Sequence, residues 1–386
     1  MLDIIYCRTT IMWEYGTINI KRCGIFDNNF HYRRGIFVLS PLTYLIAGKS
    51  AIYGWILLLI ISMILVLPFA YTTTKISKSG GPYKYIMRMF GKRTGVAFAY
   101  TLWLAGMVAI SAVVSFFGVI FNVYFSFKYV EVILVVFLTS LIINGINVVG
   151  NFIRTFGVLT IMTLLFIVFS NKIDPSVFNV EFDLFKVMTA SYFGLWTMTG
   201  WEAITIPSEA FKNPEKDIYY GLIIGTFIIG ILYLLYSLVV VSSNMTFAKL
   251  DDIIEVLIGN NLIVWVSMLF IIGGCVFSWL FSLGWMPYAL SHDNLLIPKL
   301  NTFTKLKKGV PINGVLLNSL VIVTLSVYPS KTLVDFAMFL TLISYFVLYL
   351  AVFKEDELKL KIKIMSLLAA VITLLIVIFR IYLVFK

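Results

Sequence analysis

The stretch Phe185–Pro214, FKVMTASYFGLWTMTGWEAITIPSEAFKNP, sets how the whole chain has to be read. Its first part, Phe185–Ile206, is apolar enough to cross a bilayer, which takes about 20 residues in a range of roughly 17–25. Yet Gly200 and the carboxylate of Glu202 sit well inside that run, and Ser208-Glu209-Ala210-Phe211-Lys212-Asn213-Pro214 follows it. A charged side chain at the bilayer centre costs at least about 2.5–3.5 kcal/mol even on lenient scales, so Glu202 needs either a function or a partner.

The rest of the chain repeats the span without a carboxylate placed well inside it. Full-length apolar segments recur at Ile52–Tyr71, Gly95–Tyr124, Val130–Ile146, Phe156–Phe169 with the residues before it, Tyr220–Val241, Leu262–Leu290, Ile312–Tyr328, Leu333–Phe353 and Ile364–Phe385. Ahead of them Gly35–Gly48 is long enough for half a span. The expectation is an all-α integral membrane protein with about eleven transmembrane helices, the first incomplete, placed in the cell membrane as a multi-pass chain among membrane lipid. Composition agrees: 60% of residues are apolar and 13% charged, and mean hydropathy is +0.97. One water-soluble core cannot hide that much apolar surface.

The net charge of +11 does not point to nucleic acid, because the basic residues lie in short segments between apolar runs. Lys75, Lys78, Lys84, Arg88, Lys92 and Arg93 follow the second span. Alternate loops continue the bias with Arg154, then Lys212 and Lys216, then Lys299, Lys305, Lys307 and Lys308, then Lys354, Lys359, Lys361 and Lys363. The intervening loops hold Lys49, Lys128, Lys172, Lys186, Lys249 and Lys331 beside seven acids. Seventeen basic residues against six put the loop after Tyr71 in the cytoplasm and the end of the last span outside. Cys7, Cys23 and Cys275 have neither metal nor disulfide spacing, and two histidines, His31 and His292, argue against a membrane cytochrome. No metal or cofactor is expected. No nucleotide loop or catalytic constellation supports a membrane enzyme.

Four segments resemble the amino acid–polyamine–organocation transporter superfamily. Gly80-Gly81-Pro82-Tyr83-Lys84-Tyr85-Ile86 with Phe90-Gly91 is similar to the loop leading into that family's third span. Gly200-Trp201-Glu202 with Ser208–Pro214 resembles its broken sixth span and the loop after it. Tyr288–Leu296 is similar to the end of its eighth span, and Asn147-Val148-Val149-Gly150 to the start of its fifth. In order and spacing they cover most of residues 35–330. The resemblance implies a leucine-transporter-like fold of two inverted five-helix repeats, the first helix of each broken near mid-membrane. Broken helices expose backbone N–H and C=O groups, tolerable in a bilayer only where they line a cavity, and there they bind a carboxylate or an ammonium. It therefore implies a permease that moves amino acids by alternating access, with coupling to a proton or sodium. Rival readings are a polyamine or amine exchanger on the same fold and a sensor that binds amino acid without transport.

The candidate substrate residues follow from that resemblance. Gly200 fits the break of span six, although an intramembrane glycine also serves close helix packing. Trp196, with Thr197 and Thr199 beside it, matches an aromatic gate whose ring covers the ligand and faces an amine; the plain alternative is a packed Trp. Trp279 resembles an aromatic lining the pathway in span eight. Gly35-Ile36-Phe37 matches the end of the break in span one, but Arg33 and Arg34 stand where small residues are expected. Residues 1–34 are thus set apart as an atypical N-terminal segment outside the bilayer, a wrong reading frame being one explanation, and 35–386 as the transporter domain. Thr163 falls where the family often has a lysine in place of sodium; a hydroxyl cannot replace an ammonium but can ligate sodium. Ile110 stands at a span-three position that is polar in guanidinium-binding relatives, which favours a less polar substrate side chain. Glu202 is the candidate for coupling or gating, against a purely structural hydrogen bond, with Glu209 expected seven residues on along nearly the same helix face.

Overall fold

A computed structural model of the chain describes residues 36–76, 78–122, 124–179, 182–243, 262–297, 301–328, 330–356 and 358–385. The described residues form helices, and strand pairing among them is one isolated bridge between Lys307 and Val310. In chain order the α-helices are α1 (Ile36–Ala47), α2 (Ala51–Lys75), α3 (Gly81–Phe90), α4 (Lys92–Phe121), α5 (Val130–Ile143), α6 (Ile146–Ser170), α7 (Leu184–Leu195), α8 (Glu202–Thr205), α9 (Pro214–Ser242), α10 (Leu262–His292), α11 (Ile312–Leu325), α12 (Ser330–Lys354) and α13 (Leu360–Phe385). Here α1 is the half of span one, α7 and α8 together make span six, α3 is an amphipathic cytoplasmic helix, and the others are one span each. The Phe185–Ile206 run is not one helix. It breaks between α7 and α8.

The packing displays the inverted repeat. Exchanging span one with six, two with seven, three with eight, four with nine and five with ten maps the principal contacts onto one another. Span three packs on span ten, and span eight on span five. Likewise span two packs on six and seven on one, and span three on nine and eight on four. Spans two and seven, and three and eight, meet across the pseudo-axis. This is the leucine-transporter-like 5+5 architecture, with α13 added outside it. Among the seven long continuous spans, three and eight are the most enclosed, 78% buried over their apolar windows, whereas α13 is 22% buried and presents Leu367, Val371, Leu374, Leu375 and Ile378 outward. The centre of the protein is therefore where the third, sixth, eighth and tenth spans converge.

Small residues and buried polar pairs hold the bundle, as expected where lipid tails give no hydrophobic drive between helices. A Cβ on Gly54 of α2 would lie 2.7 Å from Ala190 Cβ, and Ser191 Oγ donates to Gly54 O at 2.9 Å, so α2 and α7 touch backbone to backbone. Trp103 Nε1 donates to Asn318 Oδ1 at 2.8 Å between spans three and nine, and Thr139 and Ser319 hydroxyls pair at 2.6 Å between four and nine.

All the loops expected to be basic share one face. Ser79 is bonded to Glu209, Lys84 to Asp293, Lys354 Nζ to Met89 O, and Ile146 N to Lys308 O. On the opposite face Lys49 Nζ meets Ser176 Oγ, Asp174 N–H donates to Ser242 Oγ, and Arg380 pairs with Asp335. The positive-inside rule makes the first face cytoplasmic. In a background lacking Cys7, Cys23 and Cys275, single cysteines at Arg88 and Lys307 should resist an impermeant maleimide on intact cells. A cysteine at Asn179 should react. Labelling of the first two before permeabilisation would reverse the topology.

Candidate functional site

The break of span six is built from residues that cannot continue an α-helix and supply their own substitutes for its lost bonds. After Leu195 the chain tightens into a 3₁₀ turn, Trp196–Met198, then extends at Thr199 (φ −87°, ψ −179°). Gly200 has φ +102°, a conformation that a side chain would strain, so the glycine is required by the break itself. Thr197 Oγ1 donates to Gly194 O at 2.7 Å and Thr199 Oγ1 to Trp196 O at 3.2 Å. Short polar side chains thus take carbonyls that a helix would have bonded. Beyond the break α8 restarts at Glu202 and ends within one turn, Ile206 N–H donating to Glu202 O.

Glu202 is buried, 3% exposed, and its partner is Tyr345 of α12: the phenol donates to Glu202 Oε2 at 2.5 Å. The same oxygen of Tyr345 accepts from Gly200 N–H at 3.0 Å. One hydroxyl therefore satisfies both the carboxyl inside the membrane and a backbone donor released by the break. The Tyr345 ring stacks on Trp201 (centroids 5.3 Å, 23°) and meets Phe69 of α2 edge-on at 5.2 Å. Nothing in the local sequence marks Tyr345. A tyrosine amid an apolar span is the sort of signal that could have raised it, since a buried phenol usually finds a polar partner.

The expected site residues fall as follows. Trp196, Thr197, Thr199, Gly200 and Glu202 lie together at the break, all buried in the described structure. Trp279 is fully buried in α10, and a Cβ on Gly106 of α4 would lie 3.1 Å from its ring, so span three is notched to admit it. Ile110, one turn on from Gly106, is also buried. Span eight packs on α8, which brings Trp279's helix against the break. Ile36 and Phe37 open α1, which packs on α7; Gly35 and the segment 1–34 lie outside the described residues. Thr163 is half-buried on α6, beside Phe156, Leu159, Val266, Ser267, Phe270 and Ile271.

One expectation needs correcting. Glu209 does not share a helix face with Glu202, because α8 stops at Thr205 and Pro207 leads into a separate 3₁₀ turn, Ser208–Ala210. Its carboxylate instead accepts from Ser79 N–H at 3.3 Å and from Tyr288 OH at 3.3 Å. This belongs to a cytoplasmic knot in which the segments that carry the family resemblance bond to each other. Gly80 N–H donates to Ile206 O at 2.8 Å. Asp293 accepts from Tyr83 OH at 2.6 Å and pairs with Lys84 at 3.1 Å. Tyr85 OH donates to the buried Glu355 at 2.5 Å, which also faces Lys75 and Arg88 at 3.5 and 3.6 Å. Burial first, and then the Asp293 carboxylate, push the Tyr83 phenol above its ordinary range, so it stays a donor at any physiological pH.

Comparison with known proteins agrees with this geometry. Residues 32–385 match the family described as amino acid permease. A Methanocaldococcus jannaschii protein whose name proposes amino-acid transport is 53% identical over 348 residues, 90% of this chain and 93% of that protein. The cadaverine/lysine antiporter of Escherichia coli K12 is 26% identical over 212 residues, 51% of this chain and 47% of its own length. A Lactococcus lactis protein whose name proposes agmatine/putrescine antiport is 25% identical over 345 residues, 79% of this chain and 72% of its own.

Tyr345→Phe should be more damaging than an ordinary Tyr-to-Phe change, because it leaves Gly200 N–H and Glu202 without a shared partner. A buried group left unsatisfied costs about 1–3 kcal/mol. Thermal unfolding of purified protein should show a lowered midpoint, and a midpoint at or above wild type would contradict the assigned role.

Proposed function

The chain belongs to the amino acid permease family, and from that premise we propose that it is a secondary transporter moving amino acids across the cell membrane by alternating access. The observation that carries the reading is the break at Thr199-Gly200, enclosed at the centre of the bundle with an aromatic residue on either side. The C-terminal end of α7 turns its carbonyl dipoles towards that break, a favourable place for an ammonium group. Trp196 supplies a ring for the same cation or for an apolar substrate side chain. Trp279 closes the span-eight side. Ile110 and Gly106 give span three an apolar wall, which suits a substrate with a less polar side chain.

Glu202 is the coupling residue in this reading, and the coupling ion is a proton. A carboxyl joined to the break through Tyr345 feels any movement of the two half-spans. Thr163, half-buried beside Ser267 and apolar side chains, is the candidate ligand if sodium takes the proton's place as coupling ion. An amine exchanger on the same fold is the second reading, favoured by the names of the Escherichia coli and Lactococcus lactis relatives.

Reconstitution into proteoliposomes separates these readings. Uptake of labelled amino acids driven by an ion gradient supports the first, uptake only into vesicles preloaded with lysine or cadaverine supports the second, and binding with neither leaves a sensor. Trp196→Ala should weaken substrate binding several-fold to about thirty-fold, the loss of about 0.5–2 kcal/mol of cation–π contact. Unchanged affinity returns Trp196 to a packing role. Glu202→Gln keeps size and hydrogen bonding but carries no titrating proton. Its uptake should lose the pH dependence of the wild type, and a wild-type profile in both rate and pH would end the coupling assignment.

A further inference from the structure

One buried polar group at the break is not used by anything described so far. Tyr349 stands one helical turn beyond Tyr345 on α12, its ring centroid 6.2 Å from that of Tyr345. It is fully buried, and its hydroxyl has no hydrogen-bond partner among the described residues. Its position is fixed from the other side, because Ser366 Oγ of α13 donates to Tyr349 O at 2.6 Å. Glu202, the carboxyl to which the neighbouring Tyr345 donates at 2.5 Å, lies beside this pair of rings. The titratable neighbour on its own helix is Tyr345. Of the ionisable groups at the cytoplasmic ends of the helices packed on α12, Lys75 of α2 and Tyr85 and Arg88 of α3 gather at Glu355, while Lys92 and Arg93 open α4 and Lys361 and Lys363 lie in the first turn of α13.

A phenol cannot stay unpaired in such a place without cost, and a carboxyl offers about four lone-pair sites, of which Tyr345 takes one. A water can answer both. Buried waters sit where two or more polar groups converge and typically make about three hydrogen bonds. We propose that Tyr349 holds a water against Glu202, and that this water carries the Glu202 proton to and from the cytoplasmic side. The position fits that direction: Tyr349 lies one turn nearer than Tyr345 to Lys354 and Glu355 at the cytoplasmic end of α12. In the step itself the carboxyl O–H bond of Glu202 breaks as its proton passes to the water. Each further water in line accepts one proton and releases one, and the net product is a carboxylate at Glu202 and a hydronium in cytoplasmic water. Tyr349 is a positioning residue: its hydroxyl orients the water and is unchanged at the end.

The inference rests on the proton-coupled reading of Glu202, and the experiment separates the two. Wild type, Glu202→Gln and Tyr349→Phe are reconstituted and probed with an equimolar mixture of tritiated amino acids. One assay is counterflow at equal pH, the other uptake driven by a pH gradient. Tyr349→Phe should keep counterflow and lose about tenfold of gradient-driven uptake, the factor that corresponds to ~1.4 kcal/mol of lost transition-state stabilisation. Wild-type rates in both assays, or loss of counterflow as well, would overturn the proposal. If Glu202→Gln loses gradient-driven uptake while Tyr349→Phe retains it, Glu202 keeps its role and only the water site falls. A wild type indifferent to the gradient removes both. Thermal unfolding gives an independent reading. With no water present, removing an unpaired buried hydroxyl should stabilise the protein, so a raised midpoint in Tyr349→Phe also counts against the site.

Discussion

The bond from Tyr345 to Glu202, with Gly200 N–H donating to the same phenolic oxygen, is the constraint on which the rest of the site depends. A broken helix and a carboxyl are each costly inside a bilayer, by several kcal/mol when nothing answers them. Placed two residues apart, they can be answered by one hydroxyl from a third helix. That economy fixes where α12 must lie, and the stack of Tyr345 on Trp201 with Phe69 behind it fixes its rotation. A movement of either half of span six must then change the surroundings of the only carboxyl described deep within an apolar span, which is the physical link between a helix break and proton coupling.

A second set of carboxylates works at the cytoplasmic end. Glu209, Asp293 and Glu355 come from the ends of spans six, eight and ten, and all three are bonded to α3 or the turn before it. The amphipathic α3 joins spans two and three, so it ties the break-bearing span to the enclosed pair at the centre. Five residues at the start of the Gly80–Gly91 segment each have a task there. Gly80 takes φ +79° beside the Tyr83 ring, Pro82 starts the helix, and Tyr83, Lys84 and Tyr85 each reach a carboxylate.

The internal symmetry explains how a set of apolar spans reaches a unique arrangement. Most contacts between spans occur twice, once in each orientation, and the two copies share the enclosed spans three and eight. Small residues such as Gly54 and Gly106 then set the distances at which those contacts close. The α13 helix lies outside the repeat, yet its Ser366 reaches Tyr349 and supports the tenth span one turn beyond Tyr345.

Much of this was legible in the sequence. Apolar length gave the spans and the lysine and arginine bias gave the face they share, because hydropathy and charge act locally; the break at Gly200 came only through the family resemblance, since an intramembrane glycine serves close packing as readily. The motif at 80–91 and that at 288–296 were visible separately. Their being each other's partners was not, since Tyr83 and Asp293 are 210 residues apart. The reading of Glu209 as a helical companion of Glu202 failed for a related reason: periodicity carries no warning that a helix will end after one turn. Tyr345 carried only the general signal of a tyrosine in an apolar span, which it shares with many others in the chain. Which hydroxyl meets which carboxyl is decided by the crossing of helices far apart in sequence, and in a bilayer that crossing depends on the packing of the whole bundle rather than on any local preference.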